Sequence, residues 1–385
     1  MKFLHVIHSV NPQGGGPIEG IRQLSAALLE LGHRVDVLSL DAPDSPGVDG
    51  FPLPLFPLGT GRRGYGYSAR VLPWLIRHAC HYDFVLVNGL WQYGSFAVWR
   101  ASRQTQLRYG VFPHGMLDPW FKRHYPLKHL KKLLYWPWAE YRVLRDAEVV
   151  FFTSDEERLA ARESFRLYRC REHVLGYGIA PPPADAPACR ASFEQKFSIP
   201  PVTRPLLFLG RIHEKKGCDL LLRALHDILS SRDCPTPPLH LIMAGPADDA
   251  YGQRMRELSR QLGLENHVTW TGMLAGEIKW GAFYATDAFI LPSHQENFGV
   301  SVVEALACGL PVLISDRVNI WREISSDQAG LVETDDLAGT IRLLRRWAAL
   351  PPPEKDSIRI NGRLCFEKRF HVNSVAINLI NCLKG

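Results

Sequence analysis

Two glutamates eight positions apart, Glu296 and Glu304, stand where a carboxylate could hold substrate hydroxyls. An ionised carboxylate only accepts hydrogen bonds, so it suits a diol rather than a phosphate. Two cations, Arg211 and Lys216, lie in Gly210-Arg-Ile-His-Glu-Lys-Lys-Gly217, just ahead of an amphipathic run. Cations at a strand tip before a helix N-terminus make an anion site. His114 precedes Gly115 and can bond a sugar hydroxyl or a phosphate. Each group has an ordinary alternative: surface glutamates flanking a βα turn, solvated cations, a structural histidine.

The carboxylates need a strand, a loop and a helix to place them. Ala288–Leu291 is a short apolar run stopped by Pro292, as a buried strand is. Ser293–Gly299 is a polar loop. Val300–Cys308 has helical spacing, with Val300, Val303, Leu306 and Ala307 on one face; Gly309 and Pro311 then stop it. Glu296 therefore sits at a strand's C-terminal end, where open parallel sheets bind ligands. The following helix offers free N–H groups and partial positive charge. This arrangement predicts a phosphate at the helix start, a sugar hydroxyl near Glu296 and a ribose diol near Glu304.

The chain opens with a second unit of the same kind. Phe3–His8 reads as a strand, Asn11–Gly16 as a Gly-rich loop, Ile18–Leu31 as a helix and Arg34–Leu40 as the next strand. Gly14-x-Gly16-x-x-x-Gly20 with Asp41 imitates a dinucleotide fingerprint, off-register by one residue. Residues 42–70 are rich in Pro and Gly and predict a long loop. A strand over Tyr82–Asn88 leads into Gly89–Gly94, making Asn88, Trp91 and Gln92 candidates for contacting an acceptor, with a packed loop as the alternative. Strands over Tyr109–Phe112 and Ala147–Ser154 follow. Pro181–Ala188 reads as linker. Pro205–Gly210, Leu239–Ala244 and Val268–Thr271 read as strands of the second domain. Asn319–Glu323 receives no role.

Composition narrows the class. At 46% hydrophobic and 22% charged the chain is that of a globular protein, long enough for two cores. It lacks a run of about 18 apolar residues, so no spanning helix is expected. Eight cysteines form no Cys-x-x-Cys pair, which predicts free thiols in a reducing cytoplasm. The net charge of +6 comes from residues 1–180, with 22 Lys+Arg against 16 Asp+Glu; residues 181–385 hold 23 of each. Residues 118–145 interleave cations with aromatics (Trp120, Lys122, Tyr125, Lys131, Lys132, Trp136, Trp138). That mixture suits an anionic membrane interface; the alternative is a helix pair burying its aromatics and solvating its lysines.

Glu-x7-Glu with Asn-Phe-Gly after the first Glu, then Glu-Ala-Leu-Ala-Cys-Gly-Leu-Pro-Val, resembles the donor-site signature of the retaining glycosyltransferases of group 1 (family four), which have the GT-B fold. The resemblance is dense over 291–312, strong over 205–315 and looser over 1–120. It implies an α/β protein of two doubly wound Rossmann-like domains facing across a cleft: residues 1–180 on the acceptor side, a linker at 181–200, and a donor domain at 201–369, with the last helix, about 370–385, packed back on the first domain. It implies that Arg211 and Lys216 clamp the donor diphosphate. Glu296 contacts a donor hydroxyl from a loop shared with Asn297, Phe298, Gly299 and Val300, and Glu304 takes the ribose. Gly245, Met273 and Leu274 approach the base. Gly15 and Gly16 face the diphosphate and sugar, and His114 lies near the transferred sugar. His114, Arg211, Lys216 and Glu296 carry the reaction on this reading. The chain departs from the family at Gly176-Tyr-Gly178, where Pro-Asn-Gly is common.

No Asp-x-Asp occurs, so Lys and Arg are expected to take the charge that a divalent cation would otherwise hold. The expectation is metal-independent, cofactor-free transfer of a sugar from a nucleoside diphosphate to a glycan or lipid-linked hydroxyl, with retention and without a side-chain nucleophile. The partners expected are the donor, the acceptor and, through 118–145, the inner face of an anionic membrane; nucleic acid is not among them. An epimerase or phosphorylase of the same fold is the alternative. More remote is an NAD-dependent oxidoreductase built on Gly14–Gly20 and Asp41.

Overall fold

The computed structural model describes all residues except 12–15, 61–63, 120–125, 232–235 and 385. The described chain divides into two compact units, Met1–Ala180 with Val372–Gly385, and Pro181–His371. Gly15 lies outside the described residues, as does the 120–125 part of the basic-aromatic stretch.

The first unit is built on seven parallel strands: β1 (Lys2–Ile7), β2 (Arg34–Ser39), β3 (Leu55–Pro57), β4 (Phe84–Asn88), β5 (Tyr109–Phe112), β6 (Val149–Phe152) and β7 (Glu172–Val174). Their order is β3-β2-β1-β4-β5-β6-β7. The central strands are largely apolar because helices cover both faces. Their side chains alternate between two cores. Leu4, Val6, Val85 and Val87 enter one, while Phe3, Phe84 and Leu86 enter the other. The last helix, Val372–Lys384, closes the second core. Its Val375, Ala376, Leu379, Ile380 and Leu383 recur at helical spacing and meet Leu24 and Leu28 of the helix Gly16–Glu30.

The second unit carries six parallel strands: β8 (Arg204–Leu209), β9 (Leu239–Ala244), β10 (Val268–Gly272), β11 (Ala288–Leu291), β12 (Val312–Ser315) and β13 (Gly330–Glu333). Their order is β10-β9-β8-β11-β12-β13. In each sheet the order reverses once, beside β1 and β4 in the first and beside β8 and β11 in the second. Connections leave to opposite sides there, which opens a crevice at the strands' C-terminal ends. The loops carrying Arg211, Lys216 and Glu296 follow β8 and β11. The pairing Phe289↔Leu207 sets their heights.

Two stretches differ from the sequence reading. Residues 42–70 contain β3, too short and too interrupted by proline to show a strand pattern. The stretch 181–200 holds a helix, Ala186–Lys196, whose start is capped by Asp185 accepting from the Ala188 N–H at 3.0 Å. It packs on the helix Gly276–Tyr284 so closely that a Cβ on Gly281 would lie 2.0 Å from the Cys189 carbonyl oxygen. The buried pair Cys189 and Phe193, four apart, carried that signal beneath the prolines.

Candidate active site

In the second unit the β8 loop folds as a short 3-10 turn, Glu214–Lys216, and ends at Gly217 in the left-handed region (φ 65°). A Cβ there would sit 2.1 Å from the Pro292 carbonyl oxygen, so only glycine lets this loop lie on the end of β11. That approach brings Lys216 Nζ into direct contact with Glu296 Oε2, joining the two loops by an ion pair whose side chains are each about four-fifths buried. Burial first, then the neighbouring Arg211 charge, push the Lys216 ammonium down to about 8; the Glu296 carboxylate at its side works in the opposite direction. Arg211 is exposed and has no carboxylate partner among the described residues. Lys215 donates to Gln295 Oε1 at 3.1 Å, and its carbonyl accepts the His294 N–H at 2.8 Å.

Glu296 is held by its backbone from a segment that the sequence left without a role. Its N–H donates to the Arg317 carbonyl and its carbonyl accepts the Asn319 N–H, each at 3.0 Å. Asn297 Oδ1 is buried without a partner, and Phe298 packs edge-on against Phe370. Gly299, at φ 82°, starts the helix Val300–Ala307. Glu304 lies on that helix with its side chain nine-tenths buried, and Lys279 Nζ donates to its Oε1 at 2.8 Å. Lys279 escaped the sequence reading because a lone helical lysine carries no motif. The ends of β8, β9 and β10 are stitched by Gly210 N–H to the Ala244 carbonyl and Gly245 N–H to the Gly272 carbonyl. Beyond them Met273 is exposed and Leu274 half-buried.

In the first unit, Asn88 ends β4 and is buried. It donates to the Leu86 carbonyl at 3.0 Å and meets His5 Nδ1 at 3.1 Å, while its Oδ1 meets His114 Nε2 at 3.2 Å. His114 is half-buried, has a left-handed backbone (φ 50°) and stacks on Phe112. The next residue is anchored by the Gly115 N–H donating to Glu157 Oε1 at 2.5 Å; Thr153 donates twice to the other oxygen. Burial pushes His114 down to about 4 and His5 to about 3, so both imidazoles are neutral at neutral pH. Trp91 is packed rather than open. Trp136 and Phe165 lie against its ring, Lys132 Nζ sits 4.4 Å from its centroid, and its N–H donates to buried Glu140 at 2.7 Å. Gln92 caps the helix Tyr93–Ser102, its carbonyl accepting from Ser95. Tyr177, the departure from Pro-Asn-Gly, donates through its hydroxyl to the Gly16 carbonyl at the start of the first helix, and its ring fills the space above Gly20.

The profile of the group 1 glycosyl transferases matches residues 190–363, and that of the glycosyl transferase 4-like domain matches residues 15–178. The chain is similar to a D-inositol 3-phosphate glycosyltransferase of Rhodococcus erythropolis, 29% identical over 54% of this chain and 48% of that one, so the match spans about half that relative's length. It is 25% identical to the mannosylfructose-phosphate synthase of Agrobacterium fabrum over 81% of this chain and 73% of that one. Among solved structures, the sucrose-phosphate synthase of Thermosynechococcus elongatus superposes with TM-score 0.77 at 21% identity, covering 99% of this chain and 98% of that one. Anabaena HepE, solved in complex with UDP-glucose, superposes with TM-score 0.76 at 18% identity over 100% and 99% of the two chains. The fold is GT-B, two Rossmann-like parallel-sheet domains. The chain belongs to the group 1 glycosyltransferases.

Proposed function

We propose that this protein transfers a sugar from a nucleoside diphosphate to a hydroxyl of a glycan or lipid-linked acceptor, with retention of configuration and without a metal ion or other cofactor. The observation that carries this reading is the contact of Lys216 with Glu296 beside Arg211, which has no carboxylate partner among the described residues, at the order reversal of the second sheet. Two cations before a helix N-terminus hold a diphosphate and stabilise the charge that grows on it as it leaves. That is the work a divalent cation would otherwise do. Glu296 then accepts from a hydroxyl of the sugar, and Glu304 accepts from the ribose. Gly15, Gly16 and His114 serve the transferred sugar, and Gly245, Met273 and Leu274 serve the base. Relatives solved with UDP or UDP-glucose support the donor class.

The acceptor is presented at an anionic lipid surface on this reading. The helix Pro126–Tyr135 leaves Leu127, Leu130 and Leu134 exposed on one side, with Trp138 exposed just beyond it and Lys131 alongside. Apolar side chains flanked by cations fit a headgroup layer.

The test is a transfer assay with UDP-, GDP-, ADP- and dTDP-sugars, with and without EDTA, and NMR of the anomeric proton in the product. Transfer from one donor with unchanged anomeric configuration and no loss in EDTA is expected. Donor interconversion without acceptor, EDTA-sensitive turnover or an inverted product each contradict a stated part.

A further inference from the structure

We propose that Asn88 is a positioning residue: its amide fixes His114 with the ring hydrogen on Nε2 and a lone pair on Nδ1, so that His114 accepts a hydrogen bond from a substrate hydroxyl instead of donating one. The direction of the amide follows from Leu86. A backbone carbonyl has only lone pairs, so the Asn88 atom 3.0 Å from it must be the NH2 group. Reversing the amide would set two oxygens against each other in a buried place. The second amide hydrogen then points to His5 Nδ1 at 3.1 Å, which must be bare, leaving the His5 hydrogen on Nε2. The remaining atom, Asn88 Oδ1, can only accept. His114 Nε2, at 3.2 Å, therefore carries a hydrogen.

Burial keeps the imidazole of His114 neutral at neutral pH, so its one hydrogen is spent on Asn88. Among the described residues nothing else bonds the ring, and Nδ1 is left with its lone pair. The left-handed backbone of His114 and the Glu157 carboxylate holding the Gly115 N–H fix where that lone pair lies. A sugar hydroxyl is the donor that such an atom takes; a phosphate oxygen has no hydrogen to give. Asn88, one of the sequence's candidates for contacting the acceptor, is buried and acts through the histidine. The identity of the hydroxyl rests on the glycosyltransferase reading. The tautomer does not, being a property of the free protein.

The experiment is long-range 1H–15N NMR on the full chain labelled at histidine, with the His114 signal assigned by loss in His114→Gln. Wild type should show one tautomer between pH 6 and 8, protonated at Nε2 with a lone-pair shift at Nδ1. Asn88→Ala should show mixed tautomers, and kcat should fall about tenfold, the worth of one hydrogen bond. Binding of the bare nucleoside diphosphate should be unchanged. Asn88→Asp places a carboxylate beside His114 and should move the acid limb of the pH–rate profile upward. A weaker affinity for the sugar nucleotide in Asn88→Ala assigns the hydroxyl to the donor, and a raised acceptor KM assigns it to the acceptor. A wild-type signal protonated at Nδ1 overturns the proposal even if no variant folds. So does an Asn88→Ala protein that keeps the single Nε2–H tautomer. If no sugar nucleotide is turned over but the tautomer is as stated, the functional reading fails and the Asn88 geometry stands.

Discussion

Lys279 donates to Glu304 across 2.8 Å, tying the helix Gly276–Tyr284 to the helix that presents the proposed ribose acceptor. The carboxylate is almost wholly buried, and this ammonium lies against it. Lys279→Met should destabilise the fold by about 1–3 kcal/mol, the cost of a buried polar group losing a hydrogen-bond donor. It should also weaken binding of the nucleoside diphosphate. Thermal unfolding with and without ligand reads both effects; wild-type behaviour in each would remove Lys279 from the site.

Lys216 should make donor binding depend on pH. Its ammonium is held down at about 8, and a diphosphate needs it charged. Affinity is therefore full below 8 and should fall as pH rises through that value, by up to about tenfold per pH unit. Calorimetry from pH 6.5 to 9.5 checks this. Lys216→Met should bind weakly at every pH with the slope gone; an unchanged slope would place the titrating group elsewhere.

Glu140 should make stability depend on pH in the first unit. Burial raises its carboxyl to about 8, against the opposing pull of the Trp91 N–H. An unfolded glutamate releases its proton near pH 4.3, so between about 4.3 and 8 the folded state binds more protons. Stability on this account falls as pH rises through that window. Glu140→Gln keeps an acceptor for Trp91 and removes the charge. Wild type should lose roughly 2–4 kcal/mol relative to this variant between pH 5 and 8 in urea unfolding. Parallel profiles would show that Glu140 is ionised throughout.

The helix Pro126–Tyr135 should carry any lipid affinity the chain has. Replacing Leu130 and Leu134 with Ser should abolish sedimentation with phosphatidylglycerol vesicles while leaving the fold intact, because both side chains are exposed. Equal sedimentation with phosphatidylcholine and phosphatidylglycerol would count against an electrostatic contribution.

What the sequence made legible was local. Glu296 and Glu304 could be placed because one strand, one loop and one helix carry both. Arg211 and Lys216 could be placed because a single βα turn does. What it hid arises across space. Lys279 reaches Glu304 from a different helix, and Arg317 and Asn319 bracket Glu296 from the loop after β12. Asn88 looked like a surface contact because its position at a strand end was readable and its burial was not. The helix Ala186–Lys196 hid because prolines dominate its approach, while two buried side chains, Cys189 and Phe193, specify it. β13 and the helices between it and the last one carry no chemistry-bearing motif.

The most direct test of the account is calorimetric titration of UDP, GDP, ADP, dTDP and NAD into wild type, Arg211→Ala and Lys216→Ala. One nucleoside diphosphate should bind wild type and lose about 1.5–3 kcal/mol of affinity in each variant, the worth of one charge-assisted hydrogen bond. Binding of NAD alone, or diphosphate binding unchanged in both variants, would contradict the assignment of this cluster as the donor site.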